Sequence, residues 1–480
     1  MVVNGEDIAP SEIRRRNLSR VLYELHLRGS FTRSELAVRL RINRSTVASL
    51  IGDLAARGLV WERSRDRQSV PPTPGRPSSV VELCHEGPAA LAIELSTDWI
   101  RAAVIGLGAS VAASTRKDLP LASSTPEWAV AEIHEMVLPM LRELAPGPRV
   151  AAIGVSAPGA VRAEDGYLHY APNLGWRDVP LGNLVERKFA DMQVPVFVGN
   201  DADLAASAEH LRGSGRGTAD FICLWGEGGI GAGVVIGGRS LAGAAGYAGE
   251  VGHMAVEPEG APCHCGSHGC WETQVGEEAL LRRSGRDPSG GSEAVAELLE
   301  AADRGDTRAL AAMAESGRWL GIGIAGLVNV FNPSRVSLGG LYARVYPYSR
   351  DDLVRELDSR AMPGPRAMVE LTIASLGPDA LLLGAAELAL APILNDPAIV
   401  PLSGDRSHAG IRRRTSPPSK GWSPRQPAQG GDHQGEFSGR FSLTPSDLPG
   451  APQKHRVVGK QSTPREGGVP SWTPGSSQYP

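Results

Sequence analysis

Apolar residues recur with helical spacing in three short stretches near the N-terminus. Ile13, Leu18, Val21, Leu22, Leu25 and Leu27 predict a first amphipathic helix that ends near Gly29. Thr32-Arg33-Ser34-Glu35 reads as a capping box, in which the Thr hydroxyl and the Glu carboxylate each satisfy a free backbone N–H. The helix it opens runs through Leu36, Ala37 and Leu40 to a tight turn at Arg41-Ile42-Asn43. Val47, Leu50, Ile51 and Leu54 predict a third helix, stopped by Gly58. Residues 59–62 and 80–83 read as the two strands of a hairpin. From residue 88 to 400, strand-like and helix-like patterns alternate, as in α/β folds, with strands expected at 90–95, 99–105 and 111–117. Further on, residues 321–331 read as a buried helix and 336–340 as a strand and turn. From Ser403 the chain turns to Ser, Pro, Gly, Gln and Arg. Such a segment cannot bury enough surface to offset its ordering entropy, so residues 403–480 are expected to form a disordered tail.

Charge changes this picture at one end. The chain of 480 residues has a formal net charge of -4, which by itself suggests no nucleic acid. The first helices, however, carry Arg14, Arg15, Arg16, Arg20, Arg28, Arg33, Arg39, Arg41, Arg44 and Arg57, while the middle is acidic. A basic module on an acidic body points to DNA. Arg44, Ser45, Thr46 and Ser49 lie on the polar face of the third helix, near its start, where side chains can reach base edges in a major groove. Arg63, Arg65 and Arg67 follow the first hairpin strand, and Pro74-Gly75-Arg76-Pro77 marks the tip of a wing. An arginine held there, Arg76, suits a narrow A·T minor groove. The competing reading is three packed helices with a solvated basic face. No apolar leader precedes a cleavage site, and the longest apolar stretch, residues 380–394, is interrupted by Glu387 and short for a membrane span. The expected location is the cytoplasm, with no membrane contact.

Candidate chemistry concentrates between Gly249 and Glu272. Cys263, Cys265 and Cys270 crowd together in a chain of five cysteines, which in a reducing compartment reads as metal ligation. With one His they complete a tetrahedral Cys₃His site of the kind that holds structural zinc. His253, His264 and His268 all stand near enough in sequence to supply the fourth ligand. A second glycine-rich run, residues 225–233, has the shape of a phosphate loop or of a tight hairpin, and it carries Glu227. A carboxylate there would repel phosphate by about 1 kcal/mol or more at roughly 4 Å.

Several motifs together resemble the ROK family of repressors, open reading frames and sugar kinases. They are Glu250-x-Gly252-His253 with the cysteine cluster, Ala157-Pro158-Gly159, Ala171-Pro172-Asn173-Leu174-Gly175-Trp176 and Gly199-Asn200-Asp201-Ala202. The resemblance covers about residues 11–395 and extends to the head and wing of the family's repressor branch. It implies a winged helix-turn-helix (residues 11–83) and a two-lobed actin-like, RNase H-like α/β fold. The lobes would span residues 88–200 and 201–400, the second carrying the metal site and a closing helix that packs back on the first. It further implies His253, Cys263, Cys265 and Cys270 as ligands of a structural Zn²⁺. The implied sugar-binding residues are Asn173, Asn200, Asp201, Glu250, His253 and Glu272.

In the family's kinases the residue matching Asp201 is the general base, and the first strand turn reads D-x-G-G-T around ATP phosphates. Here that turn is Glu94-Leu95-Ser96-Thr97, without either glycine. The expectation is therefore a regulator and not an enzyme, with Asp201 a vestigial base. Its partners would be double-stranded operator DNA, a monosaccharide effector and further copies of itself, as a homodimer or higher homo-oligomer. The alternative is an ATP-dependent sugar kinase with an appended DNA-binding head.

Overall fold

The computed structural model describes residues 9–63 and 79–402. It begins with helix α1 (Pro10–Arg28), the two-residue strand β1 (Phe31–Thr32), α2 (Arg33–Leu40) and α3 (Arg44–Ala56). The capping box forms as expected: Glu35 N–H donates to Thr32 Oγ1 at 3.2 Å, and Thr32 N–H donates to Glu35 Oε2 at 2.7 Å. Helix α3 ends on Gly58 at φ +69°, with Leu59 N–H bonded to Leu54 O at 3.0 Å and Gly58 N–H to Ala55 O at 2.9 Å. That pairing is a Schellman motif, which favours glycine because the left-handed position penalises a Cβ. Leu22, Leu25, Leu36, Leu40, Leu50, Ile51 and Leu54 fill the space between the three helices. Strands β2 (Val60–Arg63) and β3 (Val80–Leu83) pair antiparallel, Val60 opposite Leu83 and Arg63 opposite Val80. The hairpin tip, with Arg65, Arg67 and Arg76, lies outside the described residues, as does the tail from 403.

Two five-stranded sheets follow, and they repeat one topology. In the first, β4 (Pro88–Leu95), β5 (Trp99–Gly106) and β6 (Val111–Asp118) form an antiparallel meander. After helix α4 (Pro126–Glu143), β7 (Arg149–Ala157) joins parallel to β4. Then come the small antiparallel sheet β8 (Ala160–Arg162), β9 (Tyr167–Ala171) and β10 (Trp176–Val179), helix α5 (Leu181–Lys188) and strand β11 (Val196–Asn200), parallel to β7. Helix α6 (Asp201–Arg212) leads to the second sheet. There β12 (Phe221–Glu227), β13 (Gly229–Ile236) and β14 (Arg239–Ser240) again form the meander. Four helices follow: α7 (Glu272–Val275), α8 (Glu277–Ser284), α9 (Gly291–Asp303) and α10 (Thr307–Phe331). Strand β15 (Arg335–Gly340) then adds parallel to β12. Past α11 (Leu341–Arg360) and α12 (Pro363–Met368), β16 (Glu370–Ile373) adds parallel to β15.

The last helix, α13 (Ala380–Asn395), is apolar on most of its surface because most of it is buried, with Leu383, Leu388, Ala391 and Pro392 half-buried along the remaining strip. Strand β4 turns its larger residues, Leu91 and Ile93, toward α4 and α5, and its small ones, Ala90 and Ala92, toward α13. At Gly154 of β7 an added Cβ would sit 2.0 Å from Ala385 O, and at Gly384 one would sit 2.2 Å from Leu204 O. Small residues thus let α13 lie close on the first sheet and on α6 together. By length and composition alone the longer stretch Gly377–Asn395 would suffice to cross a membrane, a test that a buried core helix also passes. In the folded chain α13 is a core helix, and its one carboxylate, Glu387, is paired.

That carboxylate joins the N-terminal helices to the rest. Glu387 of α13 lies 2.9 Å and 3.0 Å from His26 Nε2 of α1 and accepts from Arg212 Nε of α6 at 2.6 Å. Gly108 N–H donates to His26 Nδ1 at 2.9 Å, so the ring's other nitrogen carries the proton toward Glu387. Arg212 also donates to His26 O at 3.2 Å. Burial alone would raise the Glu387 carboxyl, but His26 and Arg212 outweigh it and hold the group below its usual range. Around this triad, Tyr23 Oη meets Asn395 Oδ1 at 3.1 Å and Arg57 donates to Ala398 O at 2.9 Å. The apolar core of the three helices runs without a break into that beneath α13.

Candidate functional site

The junction of β11 and α6 builds one wall of a cleft. Asn200 caps α6, its Oδ1 accepting from Asp203 N–H at 3.0 Å, while its Nδ2 donates to Gly159 O at 3.0 Å. Asp201 turns back to accept from Ala202 N–H at 2.7 Å. Asn173 comes from the turn between β9 and β10, and Glu250 and His253 flank a single helical turn after β14. Glu272 opens α7 and accepts from Ile230 N–H at 3.3 Å. Asn173, Asn200, Asp201, Glu250, His253 and Glu272 line a single cavity of about 230 Å³. Trp225, Glu227 and the residues around Gly159 complete the lining.

Carboxyl groups crowd this cavity, and their proton affinities rise. Burial, then the facing Glu227, pushes Asp201 to about 7 against the pull of the Ala202 N–H. Burial and Glu250 push Asp203 to about 7. Glu250 is raised by burial and by Glu272, with His253 opposing. Behind the cleft, burial pushes Glu94 to about 8 even though Arg101 donates to it at 2.7 Å and 3.0 Å.

The two turns weighed as phosphate loops bond to each other. Ser96, in the β4–β5 turn, donates to Glu227 Oε1 at 2.7 Å. Glu227 ends β12, and the hairpin reverses on Gly228 at φ +72°. The following glycines have a packing reason: Cβ atoms at Gly231 and Gly233 would sit 2.6 Å and 2.2 Å from the methyls of Ala202 and Ala206 on α6. Neither the Ser96–Glu227 bond nor the His26 triad leaves a local sequence signal.

Beside the cavity, the ligand atoms of His253, Cys263, Cys265 and Cys270 all lie within 4.8 Å of one another. Cys263 Sγ is 3.7 Å from His253 Nδ1, and Cys265 Sγ is 3.7 Å from Cys270 Sγ. Tetrahedral ligands about 2.3 Å from a zinc ion stand about 3.8 Å apart, so the donor set and its spacing fit a metal. Cys263 N–H closes the loop on Ser267 O at 2.8 Å. His264 and His268 stand outside the group. Tyr170 Oη of β9 donates to His264 O at 2.8 Å and ties the loop to the opposite wall.

On the N-terminal helices, Arg44, Ser45 and Ser49 are exposed and Thr46 is half-buried at the start of α3. Asn43 caps this helix, accepting from Thr46 N–H at 2.7 Å and from Ser45 Oγ at 2.8 Å. Arg14 of α1 donates to Ser49 Oγ at 3.1 Å and pairs with Asp53 at 3.2 Å. Arg76 lies outside the described residues.

The profile of the ROK family matches residues 90–391, more than half of the chain. The chain belongs to the ROK family. It is 27% identical to the xylose repressor of Bacillus spizizenii over 80% of its own length and 97% of that protein's. A ROK glucokinase from Streptomyces griseus, solved with glucose and AMPPNP, superposes with a TM-score of 0.56 at 30% identity. It covers 63% of this chain and 99% of its own. A ROK family transcriptional regulator, described as a homolog of the E. coli MLC protein, superposes with a TM-score of 0.65 at 24% identity, over 80% of this chain and 97% of its own. This ROK protein therefore has the family's actin-like, sugar-kinase-like fold.

Two predictions follow from the site's electrostatics and its cysteines. Glu94, Asp201 and Asp203 hold protons in the folded chain that the unfolded chain releases near pH 4. Their contribution to stability is full below about pH 4 and is lost as pH rises through about 7 to 8. Urea midpoints should fall more between pH 5 and pH 8 in the wild type than in Asp203→Asn. Replacing Cys265 with Ser should lower metal content, read by elemental analysis, together with the melting temperature.

Proposed function

We propose that this ROK protein is a sugar-responsive transcription repressor in the cytoplasm, not an enzyme. The observation that carries the reading is the part by which the chain exceeds the glucokinase. The glucokinase accounts for 63% of this chain, whereas the xylose repressor is matched along 97% of its own length. The excess at the N-terminus is three helices and a hairpin bearing exposed arginines. We read it, residues 11–83, as a winged helix-turn-helix that binds double-stranded operator DNA. Arg44, Ser45, Thr46 and Ser49 would meet the major groove and Arg76 the minor groove. Arg14, bonded to Ser49 and Asp53, would hold the recognition helix to α1.

In the body, residues 88–200 and 201–400 are read as the two lobes. Asn173, Asn200, Asp201, Glu250, His253 and Glu272 suit the hydroxyls of a monosaccharide, since carboxylates and amides can both accept and donate there. His253, Cys263, Cys265 and Cys270 would hold a structural Zn²⁺, which would fix the His253 ring and the loop carrying Glu272. A kinase reading rests on Asp201. It is disfavoured by the Ser96–Glu227 bond, which joins the two turns that would have to part around phosphates, because phosphoryl transfer depends on holding those phosphates.

Sugar binding would reach the head through α6. This helix starts at the cleft with Asp201 and ends about 17 Å away at Arg212, which bonds to His26 of α1. The family's homodimer, or a higher homo-oligomer, would present two heads to a palindromic site, and a change at Arg212 would alter their geometry.

Arg44→Ala should weaken binding to the protein's own promoter DNA on the order of tenfold, read by fluorescence anisotropy at fixed salt. Its sugar affinity, measured by calorimetry, should stay at the wild-type value. Unchanged DNA affinity would remove the proposed role of α3.

A further inference from the structure

We infer that Cys265 is an oxidation site, at which a peroxide joins it to Cys270 in a disulfide and so dismantles the ligand set for the metal. The inference rests on the zinc reading of the four ligands, and its consequence for the cleft rests on the sugar reading.

The three clustered cysteines differ in their surroundings. Cys263 and Cys270 are buried, at 7% and 0% exposure. Cys270 is pinned, since its backbone bridges to Ala255 and its carbonyl accepts from Thr273 Oγ1 at 2.8 Å. Cys263 Sγ is turned inward, 3.7 Å from His253 Nδ1 and 3.8 Å from Glu272 Oε1. Cys265 is exposed, in a turn whose residues 264–268 are all exposed. A Cβ added at the adjoining Gly266 would meet nothing within 4 Å, so the turn borders open space. Cys265 also lines the cavity of about 230 Å³ beside Glu250 and His253. A small oxidant therefore has access to its sulfur, and Cys270 Sγ stands 3.7 Å away to receive it. Of the other two cysteines, Cys223 is sealed in the core under the second sheet and Cys84 belongs to the head, its N–H bonded to Leu59 O at 3.0 Å.

A bound metal keeps its cysteine ligands as thiolates, the form that peroxides oxidise. The Cys265 sulfur attacks one oxygen of hydrogen peroxide, the O–O bond breaks, and the other oxygen leaves as water after taking a proton. Cys265 is then a sulfenic acid. The Cys270 sulfur attacks that sulfur, the S–O bond breaks, and the oxygen leaves as a second water. Two thiol groups and one hydrogen peroxide thus give one disulfide and two waters, with two electrons passing from sulfur to oxygen. Only His253 and Cys263 remain as ligands, half of what a closed tetrahedral site needs. The His253 ring and the loop carrying Glu272 lose what fixes them, and both line the sugar cavity. A thiol reductant reverses the change by thiol–disulfide exchange.

The test treats the full chain, its zinc content first established by elemental analysis, with hydrogen peroxide. Released zinc is followed with a chromogenic chelator and disulfides are located by peptide mass mapping. The expected result is one Cys265–Cys270 disulfide for each ion released, both reversed by dithiothreitol with added Zn²⁺. Glucose, xylose or N-acetylglucosamine, whichever the untreated chain binds by calorimetry, should bind severalfold more weakly after oxidation. Cys265→His supplies a nitrogen ligand and no disulfide partner, so it should keep zinc and release it on the order of tenfold more slowly. Cys84→Ser should release zinc at the wild-type rate. Zinc retained under peroxide, a disulfide that leaves out Cys265, or wild-type release from Cys265→His each overturns the inference. If Cys265→His fails to hold zinc, the disulfide map of the wild type decides alone. A chain that holds no zinc before treatment removes the metal reading and the inference together. A chain that forms the disulfide and releases zinc, yet binds none of the three sugars beforehand, counts against the sugar reading and upholds the oxidation site.

Discussion

The buried contact among His26, Glu387 and Arg212 is the constraint on which the arrangement of this protein depends. Three helices meet there, each serving a different part: α1 organises the N-terminal module, α13 lies on the first sheet and α6 packs against the second. A carboxylate buried at this depth is tolerable only with its partners in place, and removing one partner of such a pair costs about 3–5 kcal/mol. The polar contact fixes where the helices meet, while the apolar core around it supplies the adhesion. The head is therefore seated on the body by a shared core and not carried on a free linker.

The seat is close because the residues around it are small. Ala90, Ala92 and Gly154 on the first sheet, Gly384 and Ala385 on α13, and Gly231 and Gly233 on β13 let α6 and α13 lie against both sheets. At one end of α6 stand Asn200 and Asp201 in the cleft, and at the other stands Arg212 beneath the head. A packed helix moves as a unit, so a ligand that favours one position of its N-terminus has a physical route to α1. It can shift that equilibrium only by as much as it prefers one position over the other.

Features encoded by neighbours in the chain were legible in advance. The capping box at Thr32 and Glu35, the glycine stop at Gly58 and the spacing of Val47, Leu50, Ile51 and Leu54 each depend on residues a few positions apart. The cysteine cluster was equally local, and the fold then separated His253 from His264 and His268. What could not be read depends on distant partners. His26 and Glu387 are 361 positions apart, Arg212 and Glu387 175, and Ser96 and Glu227 131. Helix α13 looked like an apolar run interrupted by a stray Glu because nothing local says what will cover it. The glycines of β13 resembled a phosphate loop for the same reason, since the methyls of Ala202 and Ala206 that require them lie on another element.

The most direct test of this account is the ratio of operator affinities with and without the effector sugar, compared between the wild type and Arg212→Gln. Couplings of this kind are typically about 5- to 150-fold. The account predicts that the ratio falls toward one in Arg212→Gln while sugar affinity, measured separately, stays within about twofold of wild type. A variant that binds sugar and operator normally and keeps the full wild-type ratio would show that the signal does not pass through the end of α6, and would contradict the central claim.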